Sequence, residues 1–348
     1  MTIEELIISE IHKKGKIDIS QFIEFCQYGK DGYYIKKNPI GINNDFITAP
    51  EISQMFGEIL GLFIINCWEK KIKTKFNLIE LGPGKGTLIC DILRTANINK
   101  NFVKAIYLTL IEKNDQLINL QKDSLHNFNF NKVNWSQEFN IEKNDFPSII
   151  YSNEFFDCFP IRQFHKKHKW YEKFIQYNLS ESVFNFVSEK VVNNNLIKVL
   201  EKYDDVKIAE ISFSRIKYFD KICKFIKKNK GIFITIDYGY KDPPNHFSLQ
   251  TIYNHKKTHL FENIGDQDIT THVNFDELIN IARKNNLKIE LFCSQKDFLI
   301  SCGIKKRRDK LQINKNEKTI KNLDLEYDRL TNKSEMGETF KVLVVSWF

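Results

Sequence analysis

A chain of 348 residues, 42% hydrophobic and 28% charged, is too apolar for a disordered protein and long enough for one elaborated α/β domain with a large core. Its 52 basic and 44 acidic side chains leave a net charge of +8, but the two signs are interspersed. That pattern argues against a nucleic-acid-binding face, and a cluster such as Lys305-Lys306-Arg307-Arg308 reads as solvated loop.

The acidic start, Met1-Thr2-Ile3-Glu4-Glu5-Leu6, resembles neither a secretory signal nor an Arg-rich transit peptide. Residues 1–30 predict two short helices, with Ser20 as the N-cap of the second. A loop rich in Gly, Tyr and Asn follows through Gly32-Tyr33-Tyr34, Asn38-Pro39-Ile40-Gly41 and Asp45-Phe46-Ile47-Thr48-Ala49-Pro50. Pro50 suits the first turn of a helix from Glu51 to about Lys70, with Thr48 near its cap. The apolar run Ile59–Trp68 within it is about half the length that crosses a membrane, so a cytoplasmic location is expected.

Strands and helices then alternate. Continuous apolar runs at Phe76–Leu81, Ala105–Ile111, Val133–Trp135, Ser148–Ser152 and Gly231–Ile236 predict parallel strands covered on both faces. Helical spacing appears at Thr87–Thr95, Asp115–Leu125, Ile211–Lys228 and Phe275–Lys284. The alternation predicts a doubly wound sheet. Period-two runs over about 161–205 predict an antiparallel insertion, and Asp297–Ile304 and Lys341–Trp347 read as closing strands. The division expected is a helical cap and covering loop at 1–70, followed by the main domain at 71–348. Seven cysteines show neither a C-x-x-C pair nor zinc spacing, which fits small apolar fillers in a reducing compartment and no metal site.

The chemistry concentrates at the strand tips. Glu80-Leu81-Gly82-Pro83-Gly84-Lys85-Gly86-Thr87 sets glycines at every second position between a strand and a helix. Dinucleotide loops use a different spacing, G-x-G-x-x-G. The E-x-G-x-G-x-G pattern is that of S-adenosylmethionine-dependent methyltransferases, and it makes Glu80, Gly82, Pro83, Gly84 and Gly86 candidates for holding that cofactor. Glu112, at the tip of the second strand, is placed to accept hydrogen bonds from ribose hydroxyls. After the fourth strand, Asn153, Glu154 and Asp157 put polar groups where packing alone would not. No Pro-Pro-aromatic motif of nucleic-acid adenine methyltransferases is present there. Carboxylates suit a cationic acceptor, because a guanidinium keeps its proton and can be gripped bidentately. His272 is a candidate to take the departing proton. Asp237-Tyr238-Gly239-Tyr240 is a further cleft candidate.

These segments resemble the MidA family, whose mitochondrial member is an arginine methyltransferase acting in complex I assembly. The resemblance runs from about Gly32 to the end of the chain. It is carried by the glycine loop, Pro50-Glu51-Ile52-Ser53-Gln54-Met55-Phe56-Gly57-Glu58, Asn153-Glu154-Phe155-Phe156-Asp157, Ile236-Asp237-Tyr238-Gly239-Tyr240, Thr270-Thr271-His272-Val273-Asn274-Phe275 and Met336-Gly337. Departures are Lys85 for the usual Arg, Ala49 for Ser and Asn274 for Asp. The resemblance implies a Rossmann-like class I methyltransferase fold with a mostly parallel seven-stranded sheet. It also implies S-adenosyl-L-methionine as cofactor, and arginine N-methylation of a respiratory complex I (NADH dehydrogenase) subunit by a bacterial protein. A protein partner follows, with no nucleic acid, a peripheral membrane complex at most, and a homodimer as an allowed assembly. A non-catalytic assembly chaperone that binds the cofactor, and a small-molecule methyltransferase, remain alternatives.

Overall fold

Six consecutive buried residues, Phe76–Leu81, form the first central strand, β1, in a computed structural model that describes residues 1–36, 48–126, 128, 133–140, 146–203 and 205–348. The predicted loop segments Asn38-Pro39-Ile40-Gly41 and Asp45-Phe46-Ile47 lie outside the described residues. The remaining central strands are β2 (Ile106–Ile111), β3 (Val133–Ser136), β4 (Ser148–Asn153), β5 (Gly231–Tyr240), β6 (Lys288–Ser294) and β7 (Phe340–Trp347). They pair in the order β6-β7-β5-β4-β1-β2-β3, with Val273–Asn274 adding a two-residue parallel ladder to the end of β5. All pairs from β5 to β3 are parallel, whereas β7 runs antiparallel to both β5 and β6. This is the expected mostly parallel α/β sheet. Apolar cores fill both of its faces, one including Leu78, Ile234 and Val344, the other Ile79, Phe233 and Val345. A strand covered on both sides has no polar face to show, which is why β1 reads as an uninterrupted apolar run.

The antiparallel insertion comprises Arg162–Lys166, Trp170–Asn178, Val183–Lys190 and Ile208–Ile211, and a strand of two residues, Ile17–Asp18, completes its sheet. Through that strand the N-terminal helices Ile3–Lys14 and Ile19–Tyr28 share a core with it: Ile7, Ile11 and Phe22 pack with Ile161 and Ile175. A hairpin, Gln250–Tyr253 with Lys256–Lys257, pairs with Asp268–Thr270 beside them.

Several local expectations are corrected. The second N-terminal helix is capped by Asp18, whose side chain accepts from the Gln21 N–H, while the Ser20 hydroxyl donates to Asp18. Asp18 immediately precedes the helix, whereas Ser20 is already its second residue. The Glu51–Lys70 helix is two helices, Ala49–Ile52 and Gln54–Lys71, because Ser53 is extended (φ −156°) and its hydroxyl caps the second. The helix expected from Ile211 begins at Phe213, after the strand Ile208–Ile211 has ended and Ser212 has capped it. Asp297–Ile304 is not a strand. Lys288–Ser294 fills that place, and Ser294 caps the helix Gln295–Ser301 by accepting from the Asp297 N–H. The polar stretch before β7 is helical at Ile304–Gln312, Glu317–Thr331 and Met336–Thr339.

Candidate active site

The strand order reverses at β1, whose neighbours are β2 and β4, and a ligand crevice is expected beyond the carboxyl ends of strands at such a point. A cavity of about 1030 Å³ lies there. Of the ten residues singled out from the sequence, nine line it: Glu80, Gly82, Pro83, Gly84, Glu112, Asn153, Glu154, Asp157 and His272. Gly86 does not; it caps the following helix Thr87–Ala96 instead.

The loop after β1 turns because its glycines take left-handed φ values: +65° at Gly82, +57° at Gly84 and +82° at Gly86. Side-chain residues rarely adopt these angles. A Cβ on Gly82 would also sit 2.9 Å from the Phe155 ring. The loop is tied down by Gln121, which sequence reading missed. Its amide donates to the Gly84 carbonyl at 2.7 Å, and its oxygen accepts from the Trp135 indole at 3.0 Å. Nothing in the local sequence marks Gln121, since its partners lie 37 residues before it and 14 after. On the other side, Lys85 lies 3.6 Å from Glu51, which also accepts from the Thr87 hydroxyl. The Pro50-Glu51 segment is thus fastened directly to the glycine loop.

Two carboxylates flank that loop. Glu80 is not in the turn but is the penultimate residue of β1, fully buried, accepting from the Tyr151 hydroxyl at 2.9 Å. Burial pushes it up to about 8, against the pull of the Tyr151 hydrogen bond. Glu112 follows β2 and accepts from the Asn114 N–H at 3.0 Å; burial raises it to about 7.

Glu154 begins the turn after β4 with φ +50°, a left-handed angle that a non-glycine residue holds only when its surroundings fix it. Its Oε1 accepts from the Asn153 amide at 3.0 Å and from the Ala49 N–H at 3.2 Å, and burial lifts it to about 8. Asp157 is also buried and raised by burial, although the Tyr238 hydroxyl and the Arg215 guanidinium oppose the shift. Asp157 Oδ1 and Asn153 Oδ1 are buried with no hydrogen-bond partner. Buried polar atoms are nearly always paired, so these two mark a place for a donor. His272 is held through its backbone N–H to the Ser248 hydroxyl, and its ring stands edge-on to Tyr238 at 5.5 Å. Burial lowers it below its usual range. Asp237 lies within β5, away from the cavity wall, whereas its neighbour Tyr238 is on that wall.

The N-terminal region closes the far side. Tyr28 and Tyr34 stack at 5.8 Å on the cavity wall; Tyr34 donates to Asp268 at 2.6 Å and Tyr28 to the Cys158 carbonyl at 2.9 Å. These aromatic positions were not singled out from the sequence. Among the described residues no cluster of metal-ligating side chains occurs, and no helix is long and apolar enough to cross a membrane.

Residues 59–293 match the family model of S-adenosyl-L-methionine-dependent methyltransferases. The mitochondrial protein arginine methyltransferase NDUFAF7 of Danio rerio is 28% identical over 364 residues, which is 97% of this chain and 85% of the relative. Its Homo sapiens counterpart is 27% identical over 362 residues, covering 96% and 81%. A crystal structure from Burkholderia thailandensis, bound to S-adenosyl-homocysteine, aligns with a TM-score of 0.86 at 21% identity, over 99% of this chain and 92% of that one, and shows the same fold. A crevice at the strand reversal and a turn of left-handed glycines suit the cofactor of that family. The chain belongs to the S-adenosyl-L-methionine-dependent methyltransferases, as its MidA resemblance leads one to expect.

Proposed function

We propose that this methyltransferase modifies arginine nitrogen in a protein, and that the acceptor is a subunit of the respiratory NADH dehydrogenase. The observation that carries the reading is the carboxylate pair on the wall of the strand-tip cavity, half-buried Glu154 and buried Asp157, with an unpaired Asp157 oxygen. Its support from similarity is the naming of the relatives as protein arginine methyltransferases.

The residues divide the work. Gly82, Pro83, Gly84 and Gly86 shape the turn that would seat the cofactor, with Glu112 toward its ribose and Glu80 toward its ammonium group. The cofactor supplies an electrophilic methyl group on a sulfonium. Glu154 and Asp157 would grip the acceptor guanidinium and draw its positive charge away from the attacking nitrogen. Asn153 orients Glu154 through the 3.0 Å hydrogen bond already described. Fixing the nitrogen in line is the main catalytic contribution in such a displacement, and near-attack separations are about 3–3.5 Å. His272, held below its usual range by burial, would accept the departing proton. Residues 1–70 would act as a cap and the insertion as a platform for the acceptor protein.

The test is incubation of the full chain and radiolabelled S-adenosylmethionine with a lysate of source cells lacking the gene, then mass spectrometry of labelled proteins. Label on arginine of an NADH dehydrogenase subunit is expected. The variant Glu154→Ala with Asp157→Ala should bind the cofactor within about threefold of normal and lose transfer by roughly 100-fold or more, the scale of a misplaced reactant. Rescue of gene-deleted cells by that double variant would favour a chaperone instead.

A further inference from the structure

The turn that carries Glu154 and Asp157 is held by its backbone, from behind. One Asp237 oxygen, Oδ2, accepts two successive N–H groups of the turn, Phe155 at 3.1 Å and Phe156 at 2.8 Å. Its other oxygen accepts from the Tyr238 N–H at 3.1 Å. Arg215, only 2% exposed, donates from Nε to the Phe156 carbonyl at 2.8 Å and from Nη2 to the Thr271 hydroxyl at 3.0 Å. Thr271 in turn donates its N–H to the Asp157 carbonyl at 2.9 Å and its hydroxyl to the same oxygen at 3.3 Å. Every anchor therefore falls on main-chain atoms of residues 155–157, and the Asp157 carboxylate keeps an unpaired oxygen. None of Asp237, Arg215 and Thr271 lines the cavity.

Burying an arginine and an aspartate completely is costly unless each is paired and hydrogen-bonded. A plain turn would not need such groups. The neighbouring Glu154 sits at φ +50° and is displaced easily unless its surroundings over-determine it.

We propose that Asp237, Arg215 and Thr271 are positioning residues: a buried frame that fixes the Glu154–Asp157 turn for the acceptor without touching substrate or cofactor. The inference rests on the reading of Glu154 and Asp157 given above. The frame couples β5, the helix Phe213–Asn229 and the segment between Thr270 and Val273 to one turn.

The experiment uses the full chain with radiolabelled S-adenosylmethionine and the same lysate, plus amide hydrogen exchange of the free protein. Asp237→Asn should speed exchange at Phe155 and Phe156 by about tenfold and slow transfer by roughly 10–100-fold, the cost of about 1 Å of misplacement. Cofactor affinity should stay within about threefold, since the glycine loop is untouched. Thr271→Val should likewise speed exchange in the turn and slow transfer, and Thr271→Ser, which keeps the hydroxyl, should restore both. Wild-type transfer in Asp237→Asn, or loss of cofactor affinity in parallel with transfer, overturns the proposal. Should Asp237→Asn fail to fold, equal rates in Thr271→Val and Thr271→Ser overturn it, and a slow Val with a restored Ser upholds it. Normal transfer by the frame variants beside an inactive Glu154→Ala/Asp157→Ala protein rejects the frame alone. An active double variant rejects the reading of the carboxylates.

Discussion

Two pairs of carboxylates line the cavity, each with one buried member (Glu80, Asp157) and one half-buried member (Glu112, Glu154), and the protein treats the pairs differently. Glu80 and Glu112, beside the glycine loop, find donors inside the fold: the Tyr151 hydroxyl for one, the Asn114 N–H for the other. Beyond β4, Glu154 accepts from the Asn153 amide and the Ala49 N–H, but Asp157 Oδ1 and the neighbouring Asn153 Oδ1 have no donor. All four are raised by the same cause, burial, yet only the second pair carries an outstanding demand for a donor. A satisfied buried carboxylate shapes a site, whereas an unsatisfied one awaits something from outside.

The comparison can be broken most severely at the loop. Gly84→Val places a β-branched side chain at φ +57°, and titration calorimetry should show cofactor binding weakened at least about 100-fold, through strain and lost space together. Normal binding by this variant would remove the loop from the site. A sharper division comes from pH. Glu154, at about 8, is protonated in the free protein at pH 7, and a bound guanidinium favours its ionised form. Binding then releases a proton, so acceptor affinity should rise with pH, by up to about tenfold per unit, and level off above pH 8. Glu154→Gln should flatten that slope; a slope surviving in the variant would assign it to another group. The smallest effect is expected from Gln121→Leu, which deletes the donor to Gly84 and leaves the Trp135 indole unpaired. A hydrogen bond of this kind contributes about 1 kcal/mol net, so cofactor affinity should fall roughly fivefold in the same calorimetric assay, with acceptor pH dependence unchanged.

Much of this was readable from residues alone. Alternating glycines after an apolar run, and polar residues interrupting a strand tip at Asn153-Glu154, are local signals that a parallel sheet makes hard to misread. The strand before the last was harder. Lys288–Ser294 and Gln295–Ser301 are both mixtures of polar and apolar residues, and the difference lies in the Ser294 cap and in β7, more than 40 residues away. Gln121 and Arg215 carry no local signal, because their partners lie 37 and 56 positions away, and Asp237, legible as a cleft candidate, gives no hint of the turn it bonds 82 positions away. Ser20 misled because a hydroxyl and a carboxylate two residues apart compete for one helix start, and the carboxylate at Asp18 prevails.

The two-residue strand Ile17–Asp18 has an implication for recombination between relatives. It lies in register against Ile175 and Phe174 of the insertion, and the helix packed behind it buries Phe22 against Phe184 and Phe261. A chimaera that exchanged only residues 161–211 would leave the first helices with a foreign partner and bare isoleucines. Grafts intended to change which acceptor is bound must therefore carry the opening residues of the chain along with the insertion.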